Sequence, residues 1–157
     1  MESLKPSVER IGLKIGLITS LGLLAYFFIM KALGLTHIIE LRVFNFVILG
    51  AGIIYGIHKL KTELHEENFY LKGLLEGLLI SITAVLPFAI IIGLYLEYVD
   101  IGLMNYIKEG LASKDYINGF TVFAVVFMEG MASGAIIAYS AMQYFKSVWS
   151  EKEKKWV

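Results

Sequence analysis

The sequence predicts an all-α membrane protein: a four-transmembrane-helix bundle with a short amphipathic helix in its third loop. Of the 157 residues, 57% are hydrophobic and 18% are charged, whereas about a quarter of an ordinary soluble domain is charged. The mean hydropathy is +0.70, and the apolar residues are concentrated in four blocks. The blocks lack the period-2 alternation of a barrel strand, and backbone groups in lipid must be paired within their own segment, so we expect helices.

Each block is long enough to cross the hydrocarbon core of a bilayer, for which about 20 apolar residues suffice. Within a single membrane domain of residues 1–157, the predicted spans are residues 15–33, 41–60, 71–96 and 119–145. The second span is the weakest, because its charge-free centre covers only residues 43–57.

Lysine and arginine are distributed unequally between the two sides of these spans. The side with both termini and the second loop holds ten basic residues: Lys5, Arg10, Lys14, Lys59, Lys61, Lys72, Lys146, Lys152, Lys154 and Lys155. The other side holds four, which are Lys31, Arg42, Lys108 and Lys114. Since basic loops stay in the cytoplasm, we expect both termini there.

The third loop, residues 97–118, is the only long connection. Leu103, Ile107 and Leu111 recur every four residues, with charged side chains elsewhere around the helix. This pattern predicts a short amphipathic helix, either lying on the outer membrane surface or packing against the ends of the spans.

Each span carries a pair of glycines four residues apart, a spacing that lets two helix backbones approach closely. The pairs are Gly12 and Gly16, Gly52 and Gly56, Gly73 and Gly77, and Gly130 and Gly134. The simpler interpretation is that they form the core of the four-helix bundle. Homo-dimerisation or docking on a partner is the alternative.

Pro87 lies within the third span, where it removes the donor that would bond the carbonyl of Thr83 and so predicts a kink. The hydroxyl groups of Ser81 and Thr83 are available to satisfy the freed groups. Membrane helices also tolerate proline without a functional role.

Glu129 is the one formal charge within residues 119–145. A charge at mid-depth costs about 2.5–3.5 kcal/mol on insertion scales, which makes such a residue a functional candidate. Ser133 and Ser140 lie within about 40° of Glu129 at 100° per residue, whereas Gly130 and Gly134 form a separate stripe. The polar stripe fits either a structural hydrogen bond to an adjacent helix or a path for protons or cations.

Glu76 lies about one turn inside the cytoplasmic end of the third span. Lys72 is four residues away on the same helix, and Lys14 is at a similar depth. A partly buried ion pair is the expected arrangement.

Other chemistry has little support in the sequence. The chain contains no cysteine and has a net charge of zero, so neither disulfides nor nucleic-acid binding are expected. His58 and His65 are seven residues apart and match no metal-ligand spacing. No catalytic motif is present. We expect no enzyme activity, no cofactor and no metal.

Four stretches carry a family resemblance: KLK at residues 59–61, YLKGLLEGLLISI at 70–82, YLEYVD at 95–100 and EGMASGAII at 129–137. Over about residues 10–147 the chain resembles an uncharacterised family of small four-span membrane proteins typical of the Bacteroidetes, domain of unknown function 4199. The resemblance implies four helices and a bacterial inner membrane. It implies no catalytic or binding residues.

Two functions remain open on these observations. The first is a non-catalytic accessory, assembly or self-associating membrane component that works by helix packing, alone or in a larger complex. The second is an oligomeric transporter or channel for protons, cations or a small solute. Its path would be lined by Glu129, Ser133 and Ser140, with Glu76 near the inner mouth.

Overall fold

The structure is a computed structural model that describes residues 6–35, 43–63, 69–109 and 117–154. Over these residues it contains five helices and no strand. They are α1 (Pro6–Ala32), α2 (Val43–Glu63), α3 (Phe69–Tyr98), α4 (Ile101–Glu109) and α5 (Gly119–Lys154). The predicted all-α fold is confirmed.

Four of these helices are long and apolar enough to cross a membrane. Their candidate spans are Glu9–Ala32, Val43–Thr62, Tyr70–Tyr98 and Gly119–Phe145. The four predicted spans coincide with them, and the largest difference is at α1, whose span begins six residues before the predicted position 15. Hydropathy locates the apolar centre of that helix, and its first turns carry Arg10 and Lys14.

Helix α3 is the centre of the bundle, since it contacts each of the other four helices. Helix α2 also contacts α1 and α5. In the most apolar stretch of each span, 50% of residues are buried in α3 and only 11% in α5. Helix α5 is therefore the span with the largest share of its residues outside the protein core.

The contact between α3 and α5 is built on small residues from both helices. A methyl group added at Gly77 would lie 2.6 Å from the Cβ atom of Ala138, and one added at Gly130 would lie 2.5 Å from a methyl group of Val85. Gly73 faces Met142 and Gly134 faces Ser81 in the same way. These contacts run antiparallel along the two helices.

Glycines of α1 and α2 face inward as well. Gly12 and Gly16 lie against α3, where a methyl group added at Gly16 would be 2.6 Å from the Cβ atom of Thr83. Gly52 faces Thr19 of α1, and Gly56 faces Ile80 of α3. All eight paired glycines thus lie at helix–helix contacts inside the bundle.

Helix α4 packs on one end of the bundle. Met104 is 4% exposed and belongs to an apolar cluster with residues of α1 and α3, such as Leu23 and Ile92. Leu103 and Ile107 pack against the same cluster. Of the two arrangements that the sequence left open, packing against the span ends is therefore observed; Leu111 lies outside the described residues.

Local capping fixes where α4 and α5 begin. The carboxylate of Asp100 accepts a hydrogen bond from the backbone N–H of Leu103 (3.0 Å), and the side-chain oxygen of Asn118 accepts one from the N–H of Thr121 (2.8 Å). Both are side-chain oxygens at the N-cap position, which satisfy N–H groups that the first helical turn leaves unpaired.

Two polar contacts hold α1 and α5 to the end of α3. The ammonium group of Lys31 donates a hydrogen bond to the carboxylate of Asp100, and the Glu97 carboxylate accepts one from the backbone N–H of Gly119. The hydrogen bond from Lys31 lowers the pKa of the Asp100 carboxyl below its ordinary value. Asp100 therefore remains ionised and able to cap α4 at neutral pH.

Helix α3 is continuous through Pro87. The Ser81 hydroxyl donates to the carbonyl of Gly77 (2.8 Å) and the Thr83 hydroxyl donates to that of Leu79 (2.7 Å). The expectation that these hydroxyls satisfy groups freed by Pro87 is therefore wrong, because each hydroxyl donates to a backbone carbonyl one turn before it in α3. A kink at Pro87 stays a prediction.

We expect Gly77→Ala to lower the free energy of unfolding by about 1–3 kcal/mol, because the added methyl group forces α3 away from Ala138. Gly50→Ala is the matched control. Its methyl group would lie 3.5 Å from the Cδ1 atom of Ile137, an ordinary contact, and alanine gains up to about 1 kcal/mol over glycine in a helix. Denaturation in mild detergent, followed by circular dichroism, measures both; equal stability of the two variants would contradict the prediction.

Candidate functional site

Helix α5 has one face against the bundle and one face directed away from it. Gly134, Ala138 and Met142 are buried against α3. On the opposite side, exposed residues recur at alternating spacings of four and three; they are Val125, Glu129, Ala132, Ile136 and Tyr139. We call these five residues the α5 outer face. Their spacing averages 3.5 residues, which is the repeat that aligns a helix with a parallel or antiparallel neighbour.

Glu129 lies near the middle of this face and of the span. It is ten residues from Gly119 and sixteen from Phe145, or about 15 Å and 24 Å at 1.5 Å per residue. The side chain is exposed, although it also interacts within the chain. A carboxyl group is therefore presented at mid-depth on the outside of the bundle.

The serines predicted to accompany Glu129 lie on the same side of α5 at different distances. Ser133 is half-buried and one helical turn from Glu129, whereas Ser140 is exposed and about three turns away. The polar stripe therefore follows the outside of α5, with Ser133 one turn from Glu129.

Glu76 is placed differently from Glu129. Its side chain is 0% exposed, and its Oε2 atom would lie 3.2 Å from a methyl group added at Gly12. The expected partial burial is therefore wrong, because the close approach of α1 at Gly12 encloses this carboxyl group. Glu76 and the half-buried Lys72 both interact within the chain; an ion pair between them stays a prediction.

The structure does not bring Glu76 and Glu129 together. Because Gly130 faces Val85, Glu129 lies about nine residues beyond Glu76 along α3, or about 14 Å at 1.5 Å per residue. One side chain faces α1 in the core, and the other is directed away from the bundle. They form two separate sites.

Two buried polar residues of α1 were missed by sequence reasoning. Thr19 and Ser20 are 6% and 3% exposed, and the Thr19 hydroxyl donates to the carbonyl of Ile15 (2.8 Å). Both continue the stripe of Gly12 and Gly16 at a spacing of three or four residues. That periodicity was the available signal for their burial.

Metal-binding side chains do not converge in the described part of the chain, where no three histidine, aspartate or glutamate residues are grouped. His58 is exposed, with its ring centroid 6.5 Å from that of Phe145. His65 lies outside the described residues.

No protein-family model matches the chain, and neither a curated protein nor a solved structure matches it significantly. The resemblance to domain of unknown function 4199 stays a prediction. The candidate site is consequently interpreted from its own chemistry.

The same substitution at the two acids distinguishes their environments. We expect Glu76→Ala to lower the free energy of unfolding by about 2 kcal/mol or more, because it empties a buried volume. Glu129→Ala should change it by no more than about 0.5 kcal/mol, as for other exposed positions. Thermal unfolding of both variants in one detergent tests this; a larger loss at Glu129 than at Glu76 would contradict the placement of Glu129 outside the bundle.

Proposed function

We propose that the protein is a non-catalytic membrane component that works by lateral association of transmembrane helices. It acts as an accessory subunit, an assembly factor or a self-associating protein, in the inner membrane of a bacterial cell with both termini in the cytoplasm. The observation that carries the proposal is the exposed carboxyl group of Glu129 at mid-depth on α5.

The physical argument starts from the cost of that carboxyl group in hydrocarbon. A charged residue at the centre of a span costs at least about 2.5–3.5 kcal/mol on insertion scales. Transmembrane helices associate through interhelical hydrogen bonds and close packing, because lipid provides no hydrophobic drive between them. Glu129 already interacts within its own chain, and a polypeptide that covers the α5 outer face also removes its exposed side chain from lipid and packs closely at Ala132, so association is favoured there.

The contacts made by the paired glycines support association through the α5 outer face. All eight paired glycines contact neighbouring helices of the same chain, so they already contribute to the bundle. The α5 outer face combines a small residue, Ala132, with a polar residue, Glu129.

Enzyme activity has less support than association. Catalysis by two carboxyl groups needs both at one site, whereas Glu76 is enclosed in the core and Glu129 is outside it.

A photoreactive amino acid in place of Ile136 tests the association. We expect irradiation of native membranes to give a discrete adduct, because Ile136 lies on the α5 outer face two turns from Glu129. The adduct should disappear when Glu129→Leu is added. Gel mobility and mass spectrometry measure the product; an adduct of twice 17.6 kDa identifies self-association, and another mass identifies a partner.

Ile18 of α1 provides the matched control. Ile136 is 63% exposed and Ile18 is 59% exposed, and each is nine residues from the end of its span on the side of the termini. Lipid should be the main adduct of the probe at position 18. Identical adducts from both positions, unaffected by Glu129→Leu, would contradict association through α5.

An oligomeric transporter or channel is the second candidate, favoured by the same exposure of Glu129. Since this side chain lies outside the bundle, a path lined by Glu129, Ser133 and Ser140 would run between copies of the chain. The buried Glu76 would then lie away from the path.

For the transport candidate we expect vesicles containing the protein to show pH-dependent proton or cation flux, which Glu129→Gln removes while the helical content is unchanged. A fluorescent pH indicator inside the vesicles measures the flux. Flux that persists in Glu129→Gln would exclude a path through this residue.

A further inference from the structure

Two adjoining pockets lie at the end of the bundle where α3 ends and α5 begins. The first, of about 190 Å³, lies between α4 and these helix ends, and Glu97, Lys108 and Asn118 are among its lining residues. The second, of about 360 Å³, is a groove between α3 and α5 that also reaches Glu97 and Asn118. We call them the α4 pocket and the α3–α5 groove; they meet at the two residues that they share.

The α3–α5 groove extends from the end of the spans into the level of the hydrocarbon. Ile90, in its lining, is eight residues from the span end at Tyr98, or about 12 Å at 1.5 Å per residue. Phe123, on the other helix, is four residues from the span start at Gly119, or about 6 Å. Because the hydrocarbon core is about 30 Å thick, the groove lies within one leaflet. This depth suits an acyl chain of that leaflet, whereas a transmembrane helix would need contacts across the whole core.

The groove follows a direct contact between the two helix backbones. A methyl group added at Gly93 would lie 2.7 Å from the carbonyl oxygen of Gly119, so no side chain separates the helices there. Leu94 and Phe120, which are 55% and 74% exposed, line the groove beside this contact. The groove is therefore apolar and accessible from the surrounding lipid.

The α4 pocket brings a basic and an acidic side chain together. Met104 and Lys108 are four residues apart and hence on one face of α4, and the burial of Met104 directs this face towards the bundle. Glu97 lines the same pocket from the end of α3, where its carboxylate accepts a hydrogen bond from the backbone N–H of Gly119. A carboxylate has room for about four such bonds, so Glu97 can accept others from a ligand. The pocket thus complements a molecule that carries both a phosphate and an N–H donor.

We propose that the α4 pocket and the α3–α5 groove together bind one phospholipid with a primary-amine head group, phosphatidylethanolamine. Its phosphate contacts the ammonium group of Lys108, its amine donates hydrogen bonds to Glu97, and one acyl chain lies in the groove. Charge-assisted hydrogen bonds of this kind are about twice as strong as neutral ones. Phosphatidylcholine has the same phosphate but no N–H group to donate, so it lacks the contact with Glu97. The site is separate from the α5 outer face, and lipid binding does not depend on the proposed association.

A photoreactive amino acid in place of Leu94 tests this binding on the whole protein, in vesicles of phosphatidylethanolamine and phosphatidylcholine mixed equally and with identical acyl chains. The matched control has the probe in place of Val47 of α2. Leu94 and Val47 are 55% and 56% exposed, and each is four residues from the end of its span at this end of the bundle. Mass spectrometry of the irradiated protein measures which lipid is attached. Adducts at position 47 should follow the bulk composition, whereas those at position 94 should contain at least a fivefold excess of phosphatidylethanolamine.

Three variants assign this excess to the α4 pocket. Glu97→Gln keeps an oxygen that can accept from Gly119 but loses the charge, and it should reduce the excess to less than twofold. Lys108→Met should lower the excess at least twofold, because a less occupied site leaves bulk lipid at position 94. Lys59→Met, at the opposite end of the bundle, is the control and should not change it. Circular dichroism establishes that the helices are retained; if Glu97→Gln disturbs α5, Lys108→Met decides the result.

Two further lipid mixtures and additives identify what the site recognises. Soluble glycerophosphoethanolamine carries the same head group without acyl chains and should not displace the adduct at position 94. Replacing phosphatidylcholine by anionic phosphatidylglycerol should leave phosphatidylethanolamine in excess. Displacement by the soluble compound, or an excess of phosphatidylglycerol, would overturn the proposal, since the first indicates a site for the free head group and the second a general attraction of anionic lipid. Equal adducts at positions 94 and 47, or an excess that persists in both Glu97→Gln and Lys108→Met, would also overturn it.

Discussion

The close approach of α1, α2 and α5 to α3 is the constraint on which the rest of the structure depends. Lipid is as apolar as a leucine side chain, so the helices gain little by exchanging lipid for each other unless their backbones can come close. Glycines at these contacts, such as Gly77 against Ala138, make that approach possible. Because α3 is surrounded in this way, Glu76 on its α1 side is enclosed, whereas α5, which reaches α3 with a single face, presents Glu129 to its surroundings.

The sequence was sufficient to predict the spans and the small helix, because both depend on local composition and periodicity. It also separated the stripe of Glu129 from that of Gly130 and Gly134. What it left open was the direction of each stripe. A small residue shows where another backbone can approach but not which helix does so. A polar stripe on α5 would face inward if a further membrane-spanning helix of the same chain packed against it. That information is tertiary and came only with the helix pairing.

Contacts between distant segments were beyond sequence reasoning for the same reason. Glu97 and Gly119 are 22 residues apart, and Lys31 and Asp100 are 69 apart, so no local pattern joins them. Each of these four residues nevertheless lies near a predicted span end, where a charged side chain can reach a helix terminus or an opposite charge. Their effect is to hold the ends of α1 and α5 to α3, which fixes the position along the bundle at which α5 starts and hence the depth of Glu129.

On the proposed function, internal packing and external recognition depend on different kinds of residue in this chain. The paired glycines are used between its own helices, and apolar side chains that face lipid discriminate poorly between one neighbouring helix and another. A polar group at mid-depth does discriminate, because an unmatched neighbour leaves it in hydrocarbon while a matched one gives it a partner. Its depth adds a second condition, since the complementary group must lie at the same level of the membrane. If the proposed association takes place on the α5 outer face, Glu129 is the residue that gives selectivity to a surface that is otherwise largely apolar.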